Sequence, residues 1–133
     1  MSESKNENTI LIVDDDSMCV KFLVSLLENE YTLHVAMNGN DAITAAMNTT
    51  PDLILLDVIM PDITGFEVIC AMKHMRETKN IPVIFVTGQS TLAEKEKGLK
   101  LGAIDYLLKS YAPAVIKERI KTQIQAINNL RTT

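Results

Sequence analysis

Five short apolar runs alternate with five amphipathic stretches along the chain, and this alternation most constrains the fold. Each run is about five residues long, rich in Ile, Val and Leu and with little polar alternation, which is typical of strands covered on both faces. Strands that alternate with helices imply right-handed crossovers and one parallel sheet with helices on both faces. The predicted strands are Thr9 to Val13, Leu33 to Met37, Leu53 to Leu56, Val83 to Val86 and Ile104 to Leu108.

Helix signals fill the stretches between these runs. Asp16 or Ser17 can cap the first helix, Thr64 can cap the third, and Pro113 suits the first turn of the last. The last helix has the clearest apolar stripe, with Ile or Leu recurring every three or four residues from position 116 to 130. The pattern predicts an α/β fold but leaves the strand order open.

Composition excludes several classes of protein. The 133 residues suit one domain, and Lys plus Arg number 13 against 17 for Asp plus Glu, a net charge of −4. This acidity argues against a nucleic-acid surface, and no apolar run reaches the ~18 residues of a membrane helix. Cys19 and Cys70 have no metal-ligand spacing, so we expect two small buried side chains in a reduced, cytoplasmic protein.

Polar residues stand where four of the predicted strands end. The first run ends in Asp14-Asp15-Asp16, the third in Asp57, the fourth in Thr87-Gly88, and the fifth runs into Lys109. Ligands of open α/β sheets bind beyond the carboxyl ends of the strands. We therefore expect these side chains to converge at one edge of the sheet.

A cluster of Asp14, Asp15 and Asp57 requires a cation, because three neighbouring carboxylates repel one another. Hard oxygen donors without His or Cys favour Mg²⁺ as the cofactor. A carboxylate beside Mg²⁺ can attack phosphorus, while Lys109 and the Thr87 hydroxyl can stabilise phosphoryl oxygens. The residues alone thus predict a Mg²⁺-dependent carboxylate that accepts a phosphoryl group.

Four ordered motifs resemble the receiver domain of bacterial two-component response regulators. They are Ile10-Leu11-Ile12-Val13-Asp14-Asp15-Asp16, Leu55 to Gly65 (LLDVIMPDITG), Pro82 to Gly88 (PVIFVTG) and Gly102 to Lys109 (GAIDYLLK). The resemblance covers roughly residues 8 to 128. It implies a flavodoxin-like (βα)5 three-layer sandwich with the parallel strand order 2-1-3-4-5.

The resemblance also implies a role for each site residue. Asp57 would be the phospho-acceptor. Asp15 would bind Mg²⁺ directly and Asp14 through water, with the backbone carbonyl of Ile59 as a further ligand. Carried over in the same way, Lys109 would contact the phosphate.

The implied signal is a change of surface that follows phosphorylation. Thr87 would be the switch hydroxyl that moves onto the phosphoryl group, and Tyr106 the aromatic rotamer that follows it inward. The surface formed by the fourth helix, the fifth strand and the fifth helix (roughly 92–101 and 104–130) would then control a downstream partner. The chain would accept phosphate rather than act as an enzyme, assisting only its own phosphorylation and dephosphorylation.

Partners and boundaries follow from the same resemblance. The phosphoryl donor would be the phosphohistidine of a sensor histidine kinase or phosphotransfer protein, and a homodimer would form through the same helix–strand–helix surface. Neither a membrane nor direct nucleic-acid binding is expected. Residues 1–8 would be a flexible lead-in, 9–130 the receiver domain and 131–133 a C-terminal tail.

Departures from the family pattern carry their own expectations. Ser110 follows Lys109 where the family has a cis-proline, so the Lys109–Ser110 peptide is either trans or a strained cis bond. Gly88 should leave the phosphoryl pocket open. Ile59 and Gln89 stand at positions that influence hydrolysis, and apolar Ile59 cannot position an attacking water, so we expect slow dephosphorylation.

Two alternative functions stay open at this point. The first is a pseudo-receiver that binds partners without phosphorylation, although its usual mark is loss of an acid or the lysine. The second is an aspartyl-phosphate hydrolase of the haloacid dehalogenase type, which would need a second acid where this chain has Ile59. His34 and His74 have no ligand-like spacing, and we interpret both as structural or solvent-exposed.

Overall fold

The computed structural model describes residues 8–88 and 90–132 as five strands that alternate with five helices. The strands form one sheet in the order β2-β1-β3-β4-β5, in which every neighbouring pair is parallel. This confirms the predicted fold class and strand order. The elements are β1 (Thr9–Val13), α1 (Ser17–Leu27), β2 (Thr32–Ala36), α2 (Gly39–Thr49), β3 (Leu53–Leu56), α3 (Gly65–Lys73), β4 (Val83–Thr87), α4 (Leu92–Lys100), β5 (Asp105–Leu108) and α5 (Pro113–Arg131).

Two apolar clusters cover the two faces of the sheet and make the three layers. The residues of α1 and α5 pack on one face, where the predicted α5 stripe of Ile116, Ile120, Ile124 and Ile127 is buried. The residues of α2 and α3 pack on the other face, together with Tyr106 and the end of α4. Each fully buried aliphatic side chain stabilises the fold by about 1.5–3 kcal/mol relative to an exposed one.

The predicted helix starts are confirmed. The Asp16 side chain accepts from the Met18 amide, and Thr64 forms a reciprocal capping box with Glu67. Pro113 is the first residue of α5, where its missing N–H costs no helical hydrogen bond.

The prediction that all strands are covered on both faces is wrong for β2. This strand lies at the edge of the sheet, and most of it is exposed, including Val35 and His34. Apolar content could not distinguish an edge strand from a central one. Cys70 is likewise only half-buried, whereas Cys19 is buried as expected.

The two ends of the described chain meet at the amino ends of the strands, whereas the motif residues follow the carboxyl ends. Asn8 and Asn128 exchange two side-chain hydrogen bonds of 2.9 and 3.0 Å. Asp52 accepts from the Thr9 amide at 2.7 Å and pairs with Arg131. Of the predicted lead-in and tail, residues 1–7 and 133 lie outside the described part. None of the described helices is long and apolar enough to cross a bilayer.

Candidate phosphoryl-acceptor site

Strand register brings the two buried aspartates side by side. Val13 of β1 pairs with Leu56 of β3, so Asp14 and Asp57 follow neighbouring strands at the same level. The Asp57 amide donates to the Val13 carbonyl at 3.0 Å, which extends this pairing by one residue. The predicted convergence of these side chains at the carboxyl ends of the strands is therefore present.

Three carboxylates form the acidic cluster, which comprises Asp14, Asp15 and Asp57. One carboxylate oxygen from each lies within 4.8 Å of the others. Asp14 and Asp57 are 1% and 5% exposed, whereas Asp15 is exposed. Carboxylates this close are unfavourable without a cation, and oxygen-only donors fit a hard divalent ion that keeps some water ligands. The donor set therefore fits Mg²⁺.

Lys109 supplies the positive charge that the chain itself brings to the cluster. Its Nζ lies 2.8 Å from Asp14 Oδ2 and 3.1 Å from Asp57 Oδ2. Burial alone would lower the pKa of this ammonium, but the hydrogen bond to Asp14 and the charge of Asp57 outweigh burial and raise it. Lys109 therefore stays charged. No peptide among the described residues is cis, so Lys109–Ser110 is trans and the lysine reaches the acids without a strained bond.

Asp57 is held in a fixed orientation by its neighbours. Its Oδ1 accepts the Val58 amide at 2.7 Å, and its Oδ2 accepts from the Lys109 ammonium at 3.1 Å. Burial, followed by the charge of Asp14, raises the pKa of Asp57, and Lys109 and Thr87 offset part of that rise. The carboxylate is thus largely removed from water and held in place, and additional positive charge would stabilise its ionised form.

Two residues that follow Asp57 shape its surroundings, Asp62 in the loop between β3 and α3 and Gly65 at the first position of α3. Sequence reasoning gave neither a role. A Cβ on Gly65 would lie 2.2 Å from the Asp57 carbonyl oxygen, so only glycine fits there. The Asp62 carboxylate accepts the amides of Gly39 and Asn40 at 2.9 and 2.8 Å, which ties the loop to the start of α2. Nothing in the sequence around Asp62 indicated that its carboxylate would contact amides 22 and 23 residues earlier in the chain.

Cys19 also touches the cluster, which the sequence did not indicate. Its buried thiol donates a hydrogen bond to Asp14, and burial followed by that bond raises the pKa of Cys19 to about 12. The thiol therefore remains protonated and inert near pH 7.

Tyr106 lies inward in the described structure. It is 2% exposed, its ring packs at 5.7 Å from that of Phe85, and its hydroxyl lies 2.7 Å from Ser90 Oγ. Sequence reasoning singled out Tyr106 but not Ser90.

An open groove of about 560 Å³ lies where the loops that follow β3 and β4 meet. Ile59 and Gly88 line it, and a Cβ on Gly88 would meet nothing within 4 Å. Ile59 is 70% exposed, so an apolar side chain stands at the mouth of the site. Gln89 lies outside the described residues.

Comparison with known proteins identifies the family. Residues 10–121 match the response regulator receiver domain. A probable cyclic di-GMP phosphodiesterase of Vibrio cholerae is 38% identical over 92% of this chain and 28% of its own length. The transcriptional regulatory protein ResD of Bacillus subtilis is 35% identical over 92% of this chain and 50% of its own length. The chain thus spans half or less of these two relatives.

Solved structures agree with the sequence match. A CheY-like receiver domain protein from Methanospirillum hungatei superimposes with a TM-score of 0.85 at 27% identity, covering 93% of this chain and 98% of that one. Strand order, acidic cluster and family match point the same way, and the chain belongs to the response regulator receiver domain family.

Proposed function

We propose that Asp57 accepts a phosphoryl group from the phosphohistidine of a sensor histidine kinase or phosphotransfer protein. One observation carries this proposal: a buried, oriented carboxylate has two further acids within 4.8 Å and a lysine ammonium at 3.1 Å. A purely structural aspartate has no need of two adjacent like charges, which raise the free energy of the folded state. A site for a cation and a phosphoryl group does need them.

The residues present divide the chemistry between them. Asp15 and Asp14 would hold Mg²⁺ together with Asp57 and the Ile59 carbonyl, and the bound ion would supply positive charge to phosphoryl oxygens. Asp57 would attack phosphorus through the oxygen that does not accept the Val58 amide. Phosphoryl transfer needs mainly positioning and electrostatic stabilisation, which these groups provide.

Lys109 and Thr87 would stabilise the new phosphoryl group. Lys109 already contacts the Asp57 carboxylate through its ammonium, and Thr87 helps to lower the pKa of that carboxyl from the end of β4. Phosphorylation adds about 1.5 to 2 negative charges and strong acceptor oxygens. The two donors would follow these oxygens, because charge-assisted hydrogen bonds are stronger than neutral ones.

The readout would be a population shift on the surface of α4, β5 and α5. Moving an equilibrium from 1:99 to 99:1 takes about 5.5 kcal/mol of differential stabilisation, which several charge-assisted hydrogen bonds supply. Arg119 of α5 pairs with Asp105 of β5 through two hydrogen bonds, so these two elements would move together. A downstream protein or a second copy of the chain would bind this surface, where Leu99, Ile104 and Val115 are exposed.

Intact-mass measurement with Mg²⁺ and acetyl phosphate tests the acceptor. We expect the wild type to gain one phosphoryl group and Asp57→Asn to gain none. Asp16→Asn is the matched control, because Asp16 belongs to the same acidic run but caps α1, a role that Asn fills equally well. It should label like the wild type.

Other results would assign the chain elsewhere. An absence of label at high donor concentration would favour a phosphorylation-independent interaction module. Steady release of phosphate from a small ester would favour a hydrolase. Label that persists in Asp57→Asn would place the acceptor at another residue.

A further inference from the structure

The ring of Tyr106 occupies a recess that exists because α4 has a glycine at position 98. Gly98 is the buried residue of α4, and it faces the aromatic rings beneath the helix. A Cβ at this position would lie 3.1 Å from Phe85 Cδ2 and 3.1 Å from both Tyr106 Cδ2 and Cε2. Carbon atoms pack best at about 3.5–4.0 Å. An alanine at 98 would therefore crowd the buried Tyr106 ring, which would have to shift by a few tenths of an ångström to accommodate it.

Ser90 restrains the other end of the same side chain. Its Oγ lies 2.7 Å from the Tyr106 hydroxyl and donates to the Thr91 carbonyl at 3.0 Å. A serine hydroxyl carries one proton, so the Tyr106 hydroxyl is the donor to Ser90. Thr91 is the N-cap of α4 and Gly98 lies in its last turn, so the tyrosine contacts both ends of one helix.

A glycine inside a helix is unfavourable, which makes its position informative. Gly loses more conformational freedom on folding than Ala and lowers helix stability. In the nine residues of α4, this loss falls on the buried position, which faces Tyr106 and Phe85. The α4 sequence thus gives up helix stability at the point where the tyrosine ring needs space.

We propose that Gly98 and Ser90 are positioning residues that hold Tyr106 in its buried rotamer without a phosphoryl group, so that α4 sets the resting population of that rotamer. The consequence for signalling rests on the proposed function, but the positioning itself does not. In the described structure the side chains of both Tyr106 and Thr87 are buried, 2% and 1% exposed. The receiver surface would therefore be partly preset before phosphorylation.

Tyrosine-ring NMR tests the positioning in the absence of Mg²⁺ and phosphodonor. The chain has three tyrosines, so ¹³C-labelled rings give three assignable signals. With a soluble gadolinium chelate, we expect Tyr106 and buried Tyr31 to be shielded and half-buried Tyr111 to relax quickly. In Gly98→Ala, Tyr106 should lose its shielding and approach the relaxation of Tyr111, while Tyr31 stays shielded and reports that the fold is intact.

A glycine swap separates the recess from helix propensity. The double variant Ala93→Gly/Gly98→Ala keeps the composition of α4 constant and moves one methyl from an exposed position into the recess. We expect it to expose Tyr106 as Gly98→Ala does, and Ala93→Gly alone to leave Tyr106 shielded. Exposure of Tyr106 in Ala93→Gly alone, or continued shielding in Gly98→Ala, would overturn the role of Gly98.

Ser90 variants test the second restraint and cover the case in which Gly98→Ala does not fold. Ser90→Ala should reduce the shielding of Tyr106, and Ser90→Thr, which keeps the hydroxyl, should restore it. Equal shielding in all three proteins would overturn the role of Ser90. Acetyl phosphate labelling of the same variants keeps the two proposals distinguishable. If Asp57 is never labelled, the proposed function is wrong. If the Tyr106 signal is unchanged in the variants, the positioning role alone is wrong.

Discussion

At the scale of single residues, we expect the exposed Ile59 side chain to affect the lifetime of a phosphoryl group on Asp57. Ile59 lines an open groove, and its side chain offers no atom that can orient an attacking water. We predict that phosphorylated wild-type protein persists for minutes or longer in Mg²⁺ buffer. Ile59→Asn should hydrolyse several-fold faster, because an amide can hold a water near phosphorus.

The matched control is Ile59→Val, which keeps the site apolar. Since residue 59 is 70% exposed, neither substitution should disturb the core. Phosphate release followed after removal of acetyl phosphate gives the rates. A wild-type half-life of seconds, or equal rates for Asn and Val, would contradict this prediction.

The convergence of the site's side chains could be predicted from sequence, because parallel strands end on the same side of a sheet, whereas their functional roles stay predictions. Asp14, Asp57 and Lys109 follow predicted strands, and the parallel sheet brings them together. The contacts of Ser90 and Gly98 could not be read in this way, since each depends on a tertiary neighbour many residues away. The metal-ligand roles stay predictions.

At the scale of elements, Asp62 connects the loop between β3 and α3 to the start of α2. Its carboxylate accepts two amides at the start of that helix, and these bonds lower the pKa of Asp62 to about 2 from an ordinary 3.8. An acid with a lowered pKa stabilises the fold where it is ionised. This stabilisation is complete above about pH 4 and is lost as pH falls through about 2.

We therefore predict that Asp62→Asn lowers the melting temperature at pH 7 and that the difference from wild type shrinks towards pH 2.5. Thermal unfolding followed by circular dichroism at several pH values measures this. Asp41→Asn, a change at another exposed acid in the first turn of α2, is the comparison. A difference for Asp62→Asn that is independent of pH would show that the charge does not matter.

Strand burial marks the limit of prediction at this scale. The buried runs of β3 and β4 were located within a residue, because continuous apolar sequence suits a strand with helices on both faces. The run of β2 looked similar but lies at the edge of the sheet. Edge position depends on strand order, which the pattern alone left open.

At the scale of the molecule, the acidic cluster makes the folded state less stable than it need be. Three carboxylates within 4.8 Å repel one another, and Lys109 neutralises only one charge. We predict that Asp57→Asn raises the free energy of unfolding by about 1 kcal/mol or more in EDTA. Mg²⁺ should stabilise the wild type more than the variant, because a ligand that binds the folded state more tightly stabilises it more at the same concentration.

Denaturant unfolding with and without Mg²⁺ checks this prediction. The control is Asp52→Asn, which alters an acid at the amino ends of the strands, far from the acidic cluster, and should leave the Mg²⁺ response unchanged. If Asp57→Asn destabilises the protein in EDTA, or if Mg²⁺ stabilises both proteins equally, the acids do not form a shared cation site.

The tight approach of Gly65 to the Asp57 carbonyl has a consequence for protein engineering. Because the start of α3 rests directly on the main chain of Asp57, any side chain introduced at position 65 would displace that aspartate. Residues 57 to 65 therefore form one structural unit. A designer who transfers this acidic site to another protein should transfer the whole segment together with the first turn of α3.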